Sequence, residues 1–118
     1  EQGTWTPSID VSSGNAPAIS SSLGLYQRVG DVVTCFFQFT VGSLGNASGF
    51  LLITGSSIPF TEDNSAISYY SGIVRCRTGN NVTVSPSISE LDPDGSLYLY
   101  GNQILSAVYH GQITFKAT

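Results

Sequence analysis

The feature that most constrains the fold is a two-residue alternation of side chains from Val32 to Leu44. Successive side chains of a β-strand point to opposite sides, so this period predicts a strand with one buried face. The alternate face contains Phe36 among polar residues, and we expect it to be half exposed or covered by a neighbouring molecule. The positions predicted to face a core are Val33, Cys35, Phe37, Phe39 and Val41.

The rest of the chain continues this pattern, and no apolar period of 3.6 residues persists. Runs rich in Val, Ile, Thr, Tyr and Phe alternate with clusters of Gly, Asn, Ser and Pro, which is typical of short strands joined by turns. Eight or nine strands at a spacing of about ten residues indicate a sandwich or jelly roll. The predicted fold is therefore all-β: one antiparallel, jelly-roll-like β-sandwich that spans residues 1–118 as a single domain.

Some boundaries can be predicted from the same signals. Pro7 has no backbone N–H, so the first strand is expected at a sheet edge or a bulge. The expected N-terminal elements are a strand from Thr4 to Val11, a surface loop from Val11 to Ser22 and a short strand from Leu25 to Val29. The expected later elements are a strand over 66–77, a strand over 82–88, and a last strand or strand pair over 104–115 with a bend near Gly111.

The charge composition argues against several classes of partner. Charged residues make up 10% of the chain, against about 25% in ordinary soluble domains. The net charge is −4, and four basic residues cannot neutralise a phosphate backbone, so we expect no nucleic acid and no anionic membrane surface as partner. No apolar run approaches the roughly 18 residues of a membrane span, so membrane insertion is not expected. A surface rich in Ser, Thr, Asn and Gln favours a neutral glycan ligand or burial against copies of the chain.

No metal site or cofactor site is predicted. Cys35 and Cys76 lie in strand-like runs, where they are either small buried hydrophobic residues or a disulfide. These two cysteines and the single His110 are too few, at these spacings, for a metal site. The acidic segment 90–95 could offer oxygen ligands to Ca²⁺, but its Pro-Asp-Gly sequence is already explained as a tight turn.

The sequence also predicts no enzyme. Nucleophilic catalysis needs a base beside the nucleophile, and the only histidine, His110, lies in a strand-like setting where an edge or interface position with a satisfied hydrogen bond is expected. Glycoside hydrolysis needs two carboxylates across a cleft, whereas most of the acidic residues lie in predicted turns.

The aromatic residues suggest where a ligand or a subunit could bind. Flat aromatic faces can lie against sugar C–H groups while Asp, Asn and Arg bind hydroxyls, and amphipathic aromatic residues are also enriched at interfaces. The predicted ligand-binding residues are Tyr69, Asp63, Asn64, Arg75 and Arg77. The predicted oligomer-interface residues are Phe36, Tyr98 and Tyr100.

Four short motifs, taken in order, resemble a known family. They are Gly3-Thr4-Trp5-Thr6-Pro7, Tyr26-Gln27-Arg28-Val29-Gly30-Asp31-Val32-Val33, Ile58-Pro59-Phe60-Thr61 and Gly111-Gln112-Ile113-Thr114-Phe115. This order is similar to that of the C-terminal head domains of bacteriophage tail fibres and tailspikes, which often open G-x-[WF]-T-P and carry Y-x-K-[IV]-G-[ND]-x-V before a long strand. Arg28 replaces the usual Lys, and Asp31 stands where Asn is common.

The resemblance implies a homotrimeric β-sandwich at a fibre tip, exposed on the virion, that binds host-surface carbohydrate or protein without catalysis. The chain would then be a piece of a longer fibre protein. The loops of the family vary, so no site residue is carried over. Two alternatives remain: a trimerisation cap that touches no receptor, and an unrelated capsid or lectin β-sandwich.

Overall fold

Two antiparallel sheets pack face to face in the computed structural model, which describes residues 1–60, 70–77, 83–84, 87–91, 96–100 and 106–118. This confirms the predicted all-β sandwich. The larger sheet has the strand order β1-β3-β4-β10-β6-β7 and the smaller one the order β2-β5-β9-β8. The strands are β1 (Gln2–Trp5), β2 (Ile9–Ser13), β3 (Ile19–Val29), β4 (Val32–Val41), β5 (Ser48–Ile53), β6 (Tyr70–Arg77), β7 (Thr83–Val84), β8 (Ser87–Leu91), β9 (Leu97–Tyr100) and β10 (Val108–Lys116).

The core lies between the two sheets, and β4 contributes most to it. All five positions predicted to face inward on β4 are buried, so the alternation was interpreted correctly. Phe39 is 0% exposed, and its ring stacks on Tyr109 at a centroid distance of 5.2 Å. Leu97 and Leu99 of β9 close the core from the other sheet. One shared cluster of buried residues therefore holds both sheets together.

The N-terminal prediction was wrong, because the expected first strand is two strands in different sheets. β1 pairs with β3 in the six-stranded sheet, whereas β2 pairs with β5 in the four-stranded sheet. Pro7 lies between them and is buried, and its carbonyl accepts a hydrogen bond of 2.6 Å from the Ser22 hydroxyl. A proline has no N–H to donate to a ladder, so it suits the point where the chain leaves one sheet for the other.

The loop predicted from Val11 to Ser22 was also wrong in extent. β2 continues to Ser13, and β3 begins at Ile19 and is 11 residues long. Its serines lack strand propensity, but β3 pairs with β4 as far as Ile19, and a long ladder partner outweighs such a weak local preference.

Two C-terminal predictions also need correction. The strand expected over 82–88 is two strands, since β7 pairs with β6 and β8 pairs with β9 in the other sheet. The bend expected near Gly111 is absent, because β10 keeps a continuous register with both neighbours through that residue. The sequence also predicts a polar loop over 61–65 and turns at 79–80 and 92–95, and these three predictions fall on residues outside the described ranges. Within the described ranges, no helix has the length and apolar character to cross a membrane.

The two cysteines are free and buried, and they lie on β4 and β6, the two strands that flank β10. Cys35 pairs with Ile113, whereas Cys76 pairs with Tyr109, four residues away along β10. Their Cα atoms are two strand spacings apart across the sheet, which is roughly 10 Å, and four residues apart along the strands, which is roughly 13 Å. A disulfide spans at most about 7 Å between Cα atoms, so the register excludes this bond in the folded chain.

Both thiols are expected to be unreactive in the native protein. Burial raises the pKa of Cys35 from the ordinary value of 9.0 to about 12, and it also raises the pKa of Cys76, although a hydrogen bond with Tyr109 opposes that rise. At pH 9 a disulfide reagent should label neither thiol rapidly in buffer and both in denaturant, since the thiolate is the reactive form. Fast native labelling would contradict this burial.

The same shifts predict the sign of a stability change. Above pH 9 the unfolded chain releases thiol protons that the folded chain keeps, so the free energy of unfolding should fall with rising pH, by up to about 1.4 kcal/mol per pH unit and thiol.

Candidate functional site

The side of the six-stranded sheet that faces away from the four-stranded sheet, here called the outer face, carries an unusual set of exposed side chains. Polar residues normally occupy the solvent side of an antiparallel sheet. Among the described residues, every large hydrophobic side chain that is strongly exposed lies on the outer face. They are Leu23, Leu25, Val29, Val32, Phe36 and Ile73, with exposed fractions from 39% to 71%. A concentration of apolar side chains on one surface indicates a contact surface.

The register aligns four of these six side chains with polar ones in two neighbouring rows, the longer of which crosses five strands. Directly paired residues on one face lie about 4.5–5.5 Å apart, close enough for one ligand to touch several of them. One row consists of Thr4, Leu25, Phe36, Gln112 and Ile73. The next row consists of Leu23, Gln38, His110 and Arg75. The two rows combine apolar side chains with amide, imidazole and guanidinium groups.

These two rows line an open depression with a volume of about 840 Å³. Ligand sites commonly occupy about 300–1,000 Å³ and combine apolar walls with a few polar groups that orient the ligand. Phe36 is 40% exposed and lies in the middle strand of the first row, where its ring is available to a ligand. Gln38 and Gln112 flank it and are exposed. The depression, defined by the two rows, is the candidate functional site.

Trp5 packs against β3 from the inner side of the sheet, because its register partner Gly24 is paired with the inward-facing Phe37. A Cβ atom on Gly24 would lie 2.6 Å from the indole ring, so only glycine lets the ring rest on the strand backbone. The indole Nε1 donates a hydrogen bond of 3.0 Å to the carbonyl of Leu25. This contact attaches β1 to β3 and keeps Thr4 in the first row.

Three of the four basic residues of the chain lie on the outer face. Arg75, Arg77 and Lys116 occupy outward positions on β6 and β10. The fourth basic residue, Arg28, faces the other way: its guanidinium carbon lies 4.8 Å from the Phe60 ring centroid, and its Nε donates to a backbone carbonyl. In the described strands of the six-stranded sheet, no Asp or Glu occupies an outward position.

The structure describes part of the predicted ligand-binding set. Arg75 and Arg77 share the outer face of β6, as their alternation predicted, and both are exposed. Asp63, Asn64 and Tyr69 lie outside the described residues, so that predicted cluster stays a prediction. Arg75 instead has Leu23, Gln38 and His110 in its row.

The predicted interface residues do not share one surface. Phe36 lies on the outer face, whereas Tyr98 lies on the far side of the four-stranded sheet. There Tyr98 is half-buried and meets Phe50 edge to face, with ring centroids 5.5 Å apart. Tyr100 ends the same strand, and its side chain is outside the described set. A single flat contact therefore cannot include both Phe36 and Tyr98.

His110 is not at a sheet edge, so the edge alternative of the sequence-based expectation is wrong, while the interface alternative stays a prediction. It lies on β10, which is paired on both sides, and its row neighbours are Gln38 and Arg75. None of its cross-strand partners on the outer face is a serine or a carboxylate. In the described part of the chain, no group of three or more His, Cys, Asp or Glu side chains could hold a metal ion.

Sequence reasoning missed the residues that complete the site, mainly Leu23, Leu25, Gln38 and Gln112. A signal existed for the two leucines, because Leu23 and Leu25 alternate with Gly24 and Tyr26. Gln112 carried no such signal, since only the pairing of β10 with β4 brings it beside Phe36. Comparison of the chain with protein-family models, curated proteins and solved structures found no match.

Proposed function

We propose that this chain is a non-catalytic glycan-binding module, the homotrimeric receptor-binding tip of a bacteriophage tail fibre, and that the depression on the outer face binds the glycan. The observation that carries the binding part is the combination of Phe36 with Gln38 and Gln112 in an open depression of about 840 Å³. A pyranose ring has apolar C–H faces and a rim of hydroxyls, which match an aromatic ring flanked by amides. The fibre assignment rests on the four sequence motifs.

In the proposed trimer, the subunits contact one another through surfaces other than the glycan-binding depression. In a closed three-fold ring, one patch of each protomer contacts a different patch of the next protomer. The outer surfaces of the two sheets are opposite and parallel, so contacts between them would stack the copies in an open line instead of a ring. We therefore assign Phe36 to the glycan site and keep the tyrosine-bearing strand β9, where Tyr98 packs on Phe50, in the subunit interface.

A trimer also explains how weak single sites could hold a virion. A millimolar site corresponds to about −4 kcal/mol. Three linked copies bind more firmly, because the second and third contacts are intramolecular.

Replacing Phe36 by alanine is expected to weaken binding to host cells or to a glycan array by about tenfold or more, since central aromatic contacts dominate such sites. The matched control is Val32→Ala, which lies on the same strand and face with nearly the same exposed fraction, 39% against 40%. Val32 does not line the depression, so binding by this variant should stay near wild type. Equal binding by both variants would contradict the proposed site.

Light scattering coupled to size exclusion should give a mass three times the 12.5 kDa of one chain at micromolar concentration. Tyr98→Ala is expected to shift this mass towards the monomer, because it removes an aromatic side chain from the proposed interface. Val29→Ala, on the outer face, should leave the trimer intact. A stable wild-type monomer would remove the trimer from the proposal.

A further inference from the structure

We infer that the outer face binds an extended stretch of a polysaccharide and not a single terminal sugar. The saccharide chain would run across the strands along the first row of the depression, from Thr4 to Ile73, with one hydroxyl edge on a further row of polar side chains. This inference rests on the proposed function and specifies its ligand. Its basis is the chemistry and the length of these rows.

The further row, here called the polar row, lies two residues beyond the first row, on the side away from the second row. It consists of Gln2, Gln27, Thr34, Thr114 and Ser71. All five side chains are exposed or half-buried, and all are uncharged groups that both donate and accept hydrogen bonds. Two residues along a strand correspond to roughly 7 Å, so hydroxyls at the edge of a sugar on the first row can reach the polar row.

Two hydroxyls at the centre of the polar row are held in place before any ligand binds. The Thr34 and Thr114 hydroxyl oxygens lie 3.1 Å apart and share one hydrogen bond. One of these groups therefore keeps its O–H for a ligand, and both oxygens keep a lone pair. Gln27 and Ser71 flank the pair on the neighbouring strands. An ordered pair loses little conformational freedom on binding, and its donors and acceptors match sugar hydroxyls.

The length of the first row indicates more than one sugar unit. Its apolar members Leu25, Phe36 and Ile73 have exposed fractions of 58%, 40% and 65%. Leu25 and Ile73 are separated by three strand spacings, which is roughly 14 Å. A single sugar ring on Phe36 does not reach both ends of this row, whereas a chain of linked rings does.

The order of the rows gives the direction of the saccharide chain. Gln38 and His110 flank the first row on one side, and Thr34 and Thr114 flank it on the other. A saccharide chain parallel to the rows would place its apolar C–H faces on the first row and its hydroxyls on both sides. A protein partner that packed apolar side chains there would also bury the polar row, and a buried polar group without a hydrogen bond is unfavourable.

Titration calorimetry on the full chain would test the length of the ligand. The probes are neutral oligosaccharides from the monosaccharide to the hexasaccharide, in series of glucose, galactose, mannose or N-acetylglucosamine units, together with any unit that the glycan array detects. In at least one series the affinity should rise by about tenfold or more with length and then level off, because the loss of translational freedom is incurred only once. A monosaccharide that binds as tightly as the hexasaccharide would overturn the extended ligand.

Ile73→Ala tests one end of the first row. This variant should bind the hexasaccharide about fivefold or more weakly, because apolar contact area is lost, while binding of the monosaccharide should change little. The matched control is Val29→Ala, since both side chains are strongly exposed on the outer face, at 65% and 71%, and Val29 lies outside the depression. Equal hexasaccharide binding by both variants would overturn the contact at Ile73.

Thr34→Val tests the polar row, because it removes one hydroxyl and nearly keeps the shape of the side chain. Hexasaccharide binding should weaken by about threefold to tenfold, the usual effect of one hydrogen bond. Thr40→Val makes the same change on the same strand and face, beyond the second row, and should bind like wild type. Gln27→Ala repeats the test away from the Thr34–Thr114 hydrogen bond, and a loss is expected there too. Equal losses in Thr34→Val and Thr40→Val, or wild-type binding by both Thr34→Val and Gln27→Ala, would overturn the role of the polar row.

The remaining outcomes separate this inference from other uses of the surface and from the proposed function. Thr34→Val and Ile73→Ala should keep the wild-type mass in light scattering, and a lower mass would assign the rows to a subunit contact and overturn the inference. Affinity that does not depend on length, with loss in Phe36→Ala, would overturn the extended ligand and leave glycan binding in place. Failure of every saccharide on the array and in the titrations to bind would overturn both.

Discussion

Replacing Phe39 by alanine should lower the free energy of unfolding by about 3–5 kcal/mol, the usual cost of removing a buried aromatic side chain. Phe39 is 0% exposed, stacks on Tyr109 and lies 6.3 Å from the Phe37 centroid. The vacated space lies between two paired sheets, so the surroundings can collapse into it only in part. A domain of this size has about 5–15 kcal/mol of stability in total, so the variant should unfold at a much lower urea concentration.

The matched control is Phe36→Ala, three residues earlier on the same strand. Its side chain is 40% exposed on the outer face, so the loss should be about 1 kcal/mol or less. Urea unfolding followed by the fluorescence of Trp5, the only tryptophan, would measure both variants. One protein concentration should be used throughout, because assembly adds to apparent stability. Equal losses for the two variants would contradict the assignment of Phe39 to the core.

Gly111→Ala is expected to destabilise the protein by about 1–3 kcal/mol, a typical cost of overpacking. A Cβ atom there would lie 2.3 Å from the Ile73 carbonyl oxygen and 3.0 Å from the Val74 Cα atom. Both contacts are with backbone, so β6 or β10 would have to move. Replacing a glycine in a strand by alanine normally stabilises the folded state by about 0.5–1 kcal/mol, which does not offset the clash.

The control for this variant is Gly42→Ala, just beyond the end of β4. The nearest atom to its added Cβ, the Ala18 carbonyl oxygen, would be 3.6 Å away, which is an ordinary contact. The free energy of unfolding of the Gly42→Ala variant should therefore change little or rise slightly. Thermal unfolding of both variants would measure the difference, and a Gly111→Ala protein as stable as Gly42→Ala would show that β6 and β10 are not packed as closely as described.

Local patterns predicted the strands whose side chains alternate over many residues. The inward side chains of β4 agree with the sequence-based prediction, because a period of two has one interpretation when one face is apolar. The predictions were wrong where the chain changes sheets, at Pro7 and between β7 and β8. Strand propensity marks extended backbone but does not identify its ladder partner.

The candidate site was predicted only in fragments. Alternation placed Arg75 and Arg77 on one side of their strand, and Phe36 was noted as an apolar residue on a polar face. Phe36, Gln112 and Ile73 come from three strands far apart in the sequence, and they meet through the ladders of β10 with β4 and β6. No local signal specifies such long-range pairs, so the two rows and the depression that they line could not be predicted.

By itself the sequence determined the class of fold, the residues of the inner face of β4 and the overall negative charge, since these depend on side-chain period and composition. The tertiary structure alone decided that the cysteines lie apart and that three of the four basic residues share a face with the exposed apolar side chains. The physical reason is that sheet register is set by packing between distant segments, and register decides which side chains become neighbours.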